Sequence, residues 1–480
     1  MSDPSDAASG GGLLGTAWSY GSAAWNYASS AVSSALGYED ISVVDPTSGE
    51  AKAAEVTADD KRATAFKSYR DYLGKDITSL VILPVWIMQP FTMLQNMAEI
   101  TEYHQLLDKA AKTEDPYERM AWVVGYTMGP FGTIERPWKP FNPILGETFE
   151  VHKDGGRVRY IAEQVSHHPP IGAGHGESDL WTYDLVSAPK TKFLGNSVEV
   201  YPIGRTRIRL KTTGEVFSLV PPTSKANNVI IGSTWIDTYG DYTLLNVTTG
   251  AKAYMYYQPC GWFGQGRYVI SGHIKKEDGT PVYVLEGRWN AYLTATRCDE
   301  NGDALPDAEP LELWKCVDKP KDDPYGFTHY ANKLNSTEFC ANPLPSDSRR
   351  RPDRHLLEVG DSSTAAVAKY NLEEMQRAER RVGDWGTREL LPLDVVPERE
   401  KEGRAWQPRW YKALPTDAEV FAGEYSNEEC PQFDFTGAWL KEVEEHPRPA
   451  SDPEEVGGKG FCPWEYPDMH DLLGKEEERP

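Results

Sequence analysis

The chain has 480 residues and a net charge of -23 at pH 7, with 15 Trp and 25 Tyr. Such aromatic content supplies a large core or an apolar cavity lining and excludes global disorder. The charge excludes nucleic acid as a partner, and any anion site must be a local basic patch. Cys260, Cys298, Cys316, Cys340, Cys430 and Cys462 form no CxxC pair, which fits reduced thiols in a cytoplasmic protein. The most apolar stretch, Leu80 to Met88, is broken by Pro84 and is too short to span a bilayer.

From Ala7 to Tyr38 there is no charged residue, and Leu14, Trp18, Trp25, Val32 and Leu36 fall near one helical stripe. A Ser/Gly face opposite Trp and Leu suits a helix that inserts at lipid-packing defects, which makes Leu14, Trp18 and Trp25 candidate membrane contacts. A disordered low-complexity leader over 1–58 fits the same composition. Lys61 to Leu73 reads as a short helix, and 77–89, with Leu80, Leu83 and Pro84, as a lid or a buried connector. Pro90 sits where a first helical residue belongs, and Leu94, Met97, Ile100, Tyr103 and Leu107 predict one helix to about Lys112. Asp115-Pro116-Tyr117-Glu118 reads as N-cap, proline at N1 and capping-box Glu of a second helix through about Met128.

After Lys139 the period changes from 3.6 to 2, and turn pairs recur at Asp154-Gly155, Thr213-Gly214, Thr249-Gly250 and Asp278-Gly279. The alternation in Arg205 to Lys211 predicts strands with one wet and one dry face. So many hairpins in series have to close or stack, because open edges aggregate; the expected fold is mainly β with α, a large antiparallel barrel. A helical pattern returns from about Leu356 to Val382. The segment from Trp385 to Trp439 is irregular and aromatic, and 441–480 reads as an acidic disordered tail.

Three clusters carry candidate chemistry. Glu163-Gln164-Val165-Ser166-His167-His168-Pro169-Pro170 ends a predicted strand, where two imidazoles at a barrel rim can bracket a phosphate; a turn with surface histidines is the plainer reading. In Lys139-Pro140-Phe141-Asn142-Pro143-Ile144-Leu145-Gly146-Glu147, two prolines hold a Lys and an Asn in a pre-set backbone, which lowers the cost of gripping an anion. A helix-to-strand connector with a structural lysine explains the same residues. Lys369, Glu373 and Arg377 share one helical stripe that could reach phosphates, although such ladders are usually solvated faces. The chain has no HExxH, no P-loop, and Thr127 where a GxSxG elbow needs Ser, so no enzyme, metal site or cofactor is expected.

Together these clusters resemble the oxysterol-binding-protein-related family, of which EQVSHHPP is the hallmark and KPFNPILGE the second. The likeness extends to Leu83-Pro84, to RPDR at Arg351 to Arg354, and to the LExGD pattern from Leu357 to Asp361, and so covers a lipid-binding domain over 59–440. The resemblance implies a nearly complete barrel with an internal lipid tunnel, an N-terminal lid at about 77–89, helices, and a C-terminal helical subdomain. It assigns the head group of phosphatidylinositol 4-phosphate to Lys139, Asn142, Glu147, His167, His168, Lys369, Glu373 and Arg377. It further implies a second ligand, a sterol or phosphatidylserine, exchanged for the phosphoinositide between membranes, or else a sensor or tether. This would be a short member without a pleckstrin-homology domain, peripheral on the endoplasmic reticulum and other organelle membranes. Membrane contact falls to the leader, the lid and basic residues such as Arg349, Arg350 and Arg351, and Glu465 to Asp471 loosely resembles a motif for an endoplasmic-reticulum receptor.

Overall fold

The structure, a computed structural model, describes residues 73–75, 85–167, 169–384, 408–445 and 462–464, with 377–384 in backbone alone. The expectations for the 1–58 leader with Leu14, Trp18 and Trp25, for Leu80, Leu83 and Pro84 of the lid, for His168, for the side chain of Arg377 and for Glu465 to Asp471 lie outside these residues. The chain divides into a small unit (1–84, 191–199 and 226–234) and a large one (85–190, 200–225 and 235–480). In the small unit the Asn196 carboxamide organises the backbone, accepting from the amides of Ile230 and Ile231 at 3.1 and 2.9 Å.

The large unit opens with β1 (Met88–Thr92), followed by α1 (Met93–Ala98), α2 (His104–Lys112), α3 (Pro116–Thr127) and α4 (Phe131–Ile134). Pro90 does not start a helix. It lies within β1, which pairs in parallel with β2 (Lys139–Phe141). The helix begins after Thr92 because Gln95 Oε1 accepts the Thr92 amide at 3.0 Å, closing a capping box that outweighs the proline signal. A 3₁₀ segment, Glu99–Tyr103, then separates α1 from α2, so the single expected helix is two. For α3 the reading holds: Asp115 Oδ1 accepts from the amides of Tyr117 and Glu118, both at 2.9 Å, and Pro116 occupies the first turn.

The strands follow as β3 (Thr148–Lys153), β4 (Val158–His167), β5 (Pro170–Glu177), β6 (Trp181–Ser187), β7 (Lys190–Phe193), β8 (Ser197–Tyr201), β9 (Gly204–Leu210), β10 (Val216–Val220), β11 (Thr223–Asn227), β12 (Trp235–Asn246), β13 (Lys252–Tyr257), β14 (Val269–Lys275), β15 (Pro281–Arg288), β16 (Tyr292–Arg297) and β17 (Leu311–Lys315). The main path of the sheet runs β17-β16-β15-β14-β13-β12-β10-β9-β6-β5-β4-β3. All neighbours on it are antiparallel. The turn glycines Gly155, Gly214, Gly250 and Gly279 all have positive φ, as their turn pairs require.

Among the described residues the path ends at β3 and β17 without a closing ladder, and both edges are covered rather than left open. The edge of β3 takes the 339–347 segment, with Thr148 N donating to Ser346 O at 2.8 Å and His152 N to Phe339 O at 2.7 Å. β17 lies against α3, so close that a Cβ on Gly125 would stand 2.5 Å from Leu313 O. One apolar core joins both ends of the path, since Phe149 of β3 and Leu313 of β17 share it with Tyr242, Leu285, Leu107, Trp122 and Tyr126. The barrel is thus completed by side-chain packing around the helices.

After α5 (His329–Leu334), the single late helix expected from Leu356 to Val382 is α6 (Pro352–Glu358) and α7 (Ser362–Asp384). Gly360, with φ +88°, ends α6, and Asp361 Oδ1 caps the Thr364 amide at 3.0 Å, so the LExGD pattern is a helix break. The chain ends its described course with β18 (Tyr411–Ala413), β19 (Phe433–Phe435) and α8 (Ala438–Glu445). The boundary expected at residue 440 falls inside α8.

This C-terminal segment covers part of the face of β9 expected to be wet: Arg209 stays exposed, while Arg205 is buried and Arg207 half-buried. Trp410, Tyr411 and Trp439 pack with Ile161, Val165, Ile171 and Ala173 on the outer side of β4 and β5. On β9, Arg205 pairs with Asp434 at 3.0 Å and Arg207 with Glu424 at 2.7 Å, so these arginines are covered by partners rather than solvated. The fully buried Trp439 also donates its indole N–H to Glu150 Oε1 at 2.7 Å. Trp439→Ala should therefore lower stability by about 3–5 kcal/mol, read from the denaturation midpoint. An effect below ~1 kcal/mol would mean that the segment is not part of the cooperative fold.

Candidate functional site

Alternating polarity along the sheet places the end of β4, the start of β3 and the start of β5 at one end of the barrel. The KPFNP run meets the EQVSHHPP turn there. Lys139 lies in β2, which the pairing with β1 fixes, and its Nζ donates to Asn142 Oδ1 at 2.6 Å and to Pro140 O at 3.1 Å. Lys139 is half-buried and Asn142 is exposed. On α7, Lys369 Nζ pairs with Glu373 Oε1 at 2.5 Å, and one turn further Gln376 Nε2 lies 3.4 Å from His167 Nδ1. The stripe 369–373–376 therefore links both motifs. Leu372 and Met375, on a neighbouring face of α7, pack on Ile144 together with Trp464, which holds the helix against the loop.

The electrostatics of this cluster favour an anion. Burial, and next the neighbouring charge of Lys369, pull the Lys139 ammonium down to about 8, against the opposing pull of Glu373. In this setting the Lys139 ammonium gives up its proton more readily unless an anion joins it. Glu373 Oε2 is buried and has no hydrogen-bond partner among the described residues, so it can accept from a ligand hydroxyl or a water.

Glu147, expected at the head group, is placed differently. It is fully buried; Oε2 accepts from the Ile144 amide at 2.9 Å and from Arg351 at 3.0 Å, and Oε1 accepts from Ser348 Oγ at 2.6 Å. Arg351 also donates to Asn142 O at 2.7 Å and to both carboxylate oxygens of Asp353, at 2.6 and 2.8 Å. Glu147 and Arg351 thus form a strut beneath the Lys139 to Asn142 loop. Arg349 and Arg351, expected at a membrane surface, are 7% and 3% exposed, because Asp347 and Asp353 neutralise them inside the protein. Arg350 is half-buried and donates to Pro343 O at 3.0 Å.

Sequence reasoning passed over two further participants. Gln376 shares the stripe of Lys369 but is uncharged, and so gave no electrostatic signal. Glu163, the first letter of the hallmark, serves as a clamp: its carboxylate accepts from the amides of Arg409 and Trp410 at 2.8 and 3.0 Å. Burial raises it to about 7. Among the described residues, Glu150, His152 and Cys340 bring donor atoms within 4.8 Å of one another, a set chemically able to hold a metal. The Glu150 oxygens are already engaged with Trp439 and with the Leu344 amide at 2.8 Å, so these contacts account for the carboxylate within the fold.

An antiparallel barrel packed around apolar side chains, with lysines, an imidazole and a carboxamide at one rim, defines a lipid-binding barrel: an apolar body inside, a charged end outside. The sequence matches the family described as Oxysterol-binding protein over residues 64–435. The chain belongs to that family. It is 42% identical to oxysterol-binding protein-related protein 3B of Arabidopsis thaliana over 97% of this chain and 99% of that one. The solved structure of the Osh1 ORD domain in complex with cholesterol matches 88% of this chain and 97% of its own, with TM-score 0.65 and 27% identity. The Osh3 ORD in complex with PI(4)P from Saccharomyces cerevisiae matches 79% and 92%, with TM-score 0.61 and 25% identity.

The Glu163 clamp has a testable sign. Its carboxyl stands at about 7 in the fold against an ordinary 4.5, so the folded chain holds this proton longer than the unfolded one. The stability it contributes is present below pH 4.5 and is lost as pH rises to about 7. Glu163→Gln should cost about 1–3 kcal/mol through the disturbed amide pair, and that cost should shrink between pH 5 and 7 in urea titrations. A cost independent of pH would contradict the assignment.

Proposed function

We propose that the protein is a lipid carrier that takes one lipid at a time into its barrel and exchanges a sterol for phosphatidylinositol 4-phosphate between membranes. The observation that carries this reading is the meeting of Lys139, Asn142, Lys369, Glu373 and His167 at one end of an apolar barrel. His168 and Arg377 complete the set by motif position, and Glu147 acts from behind through Arg351. A phosphorylated inositol supplies the anion that two neighbouring lysines call for and hydroxyls for Glu373 Oε2. Its acyl chains gain from leaving water for the interior.

For the second lipid, an apolar interior with isolated polar atoms suits a rigid molecule bearing one hydroxyl. Tyr160 is fully buried, and its hydroxyl has no partner among the described residues. The relatives solved with cholesterol and with PI(4)P support the same pair of ligands. In this reading the protein performs no covalent chemistry and works at cytoplasmic membrane surfaces, the endoplasmic reticulum among them. Mass spectrometry of co-purifying lipids separates sterol from phosphatidylserine as the exchanged partner. Transfer between two liposome populations of less than one lipid per protein would make it a sensor or tether instead.

His167→Ala combined with His168→Ala should abolish extraction of phosphatidylinositol 4-phosphate from liposomes while sparing sterol uptake. Equal loss of both in a folded variant would refute the head-group assignment. A pH effect accompanies it. A bound phosphate raises Lys139 from about 8, so binding above that pH takes up a proton. Affinity for a short-chain phosphatidylinositol 4-phosphate, measured by calorimetry, should be full below about pH 8 and fall as pH rises beyond it. Lys139→Met should bind more weakly and flatten that slope.

A further inference from the structure

The loop between β13 and β14 presents two adjacent aromatic side chains to solvent: Trp262 is 101% exposed and Phe263 91%. Isolated apolar residues at a surface need no explanation, but a Trp-Phe pair at a hairpin tip is a concentrated apolar point. The loop is also rigidly built. Gly261 N donates to Gln265 O at 2.8 Å, Gly264 N to Gly261 O at 2.9 Å, and the Gln265 side chain accepts the Phe263 amide at 3.0 Å. Asp237 on β12 accepts the Cys260 amide at 2.9 Å. At the base, Tyr268 is held at φ +73°, a left-handed conformation that a bulky residue rarely adopts. Its hydroxyl donates to Glu135 at 2.5 Å and its ring meets Trp289 edge-on at 5.1 Å. Backbone strain of this kind persists only where the surroundings over-determine it, and here it fixes the direction in which the tip points.

Around the base stands a collar of cations on aromatic rings. The Arg267 guanidinium lies 4.6 Å from the Trp235 ring and 4.5 Å from Tyr268, and Arg288 lies 5.2 Å from Tyr268. Strand polarity gives the position of this loop. From β4 through β5, β6, β9, β10 and β12 to β13 every neighbour is antiparallel, so the end of β13 and the end of β4, with His167, belong to the same end of the barrel.

We infer that Trp262 and Phe263 are a membrane anchor, inserting into the interfacial layer of a lipid bilayer so that the barrel end bearing His167 faces the membrane. This rests on the lipid-carrier reading. A bilayer fits better than a protein partner. Two side chains on a convex tip bury far less than the roughly 1,000 Å² that a specific protein interface needs. A Trp beside a Phe, ringed by arginines stacked on aromatic faces, is instead the composition that settles at the headgroup level. Arg267 and Arg288 offer guanidinium donors to lipid phosphates, and beside the carboxylates of Glu135 and Asp237 they leave the base of the loop near neutral on a chain whose net charge is -23.

The test uses the full chain, phosphatidylcholine vesicles and the variant Trp262→Ser/Phe263→Ser. Amides of 258–268 should gain hydrogen-exchange protection when vesicles are added. The double variant should bind vesicles about tenfold more weakly in flotation, with slower lipid transfer. Its sterol uptake from cyclodextrin, which needs no bilayer, should equal that of the wild type. Unprotected 258–268 amides on vesicle-bound protein, or wild-type vesicle affinity in the variant, would overturn the inference. A wild-type dimer that the variant dissociates would assign the tip to a second copy of the chain and overturn it too. Protection of the loop without any sterol uptake would sustain the anchor and refute the carrier reading.

Discussion

The buried Glu147–Arg351–Asp353 chain of charges is the constraint on which the site depends. It joins the loop after β2 to the turn before α6, two segments about two hundred residues apart in sequence, and Arg351 donates directly to the Asn142 carbonyl at 2.7 Å. Burying these charges is costly unless each is paired, and here the pairs are hydrogen-bonded as well as close. Arg354 extends the frame by donating to the Ser348 and Arg349 carbonyls, both at 2.9 Å. With these carbonyls and carboxylates committed, the loop carrying Lys139 and Asn142 is held from beneath, in addition to the bond between those two side chains.

This arrangement separates two roles that look alike in sequence. In each motif some charged residues face the rim and others build what stands beneath it. In KPFNPILGE the lysine and asparagine face outward, while the closing glutamate is buried. In EQVSHHPP the glutamate clamps the C-terminal segment, and His167 is left to meet α7. RPDR is entirely frame at its two arginines. Charge in a motif therefore shows that a residue is needed, but burial decides whether it serves the ligand or the fold.

Much of the molecule was legible from local signals. The α3 cap, the turn glycines and the switch to period two are set by residues within a few positions of one another, and the structure follows them. Several of the failures come from partners distant in the chain, whereas the helix break at Gly360 is a local one. Pro90 was outweighed by a capping box, a local competitor, but β1 forms only because β2 pairs with it some fifty residues later. Arg205 and Arg207 alternate like a solvated strand face, and the carboxylates of Asp434 and Glu424 cover that part of it, whereas Arg209 stays exposed. Gln376 could not be singled out because its interest lies wholly in the neighbour it meets. The specificity of the hallmark motif, rather than periodicity, brought Lys139, His167 and Lys369 into a single reading.

The contact between Glu150 on β3 and Trp439 on α8 spans 289 residues. As the polypeptide leaves the ribosome, Ile161, Val165 and Ile171 emerge long before the tryptophans that cover them. Until residues 410–439 have emerged, the nascent barrel exposes an oily flank to water, which is the circumstance in which chaperones are recruited and in which misassembly begins.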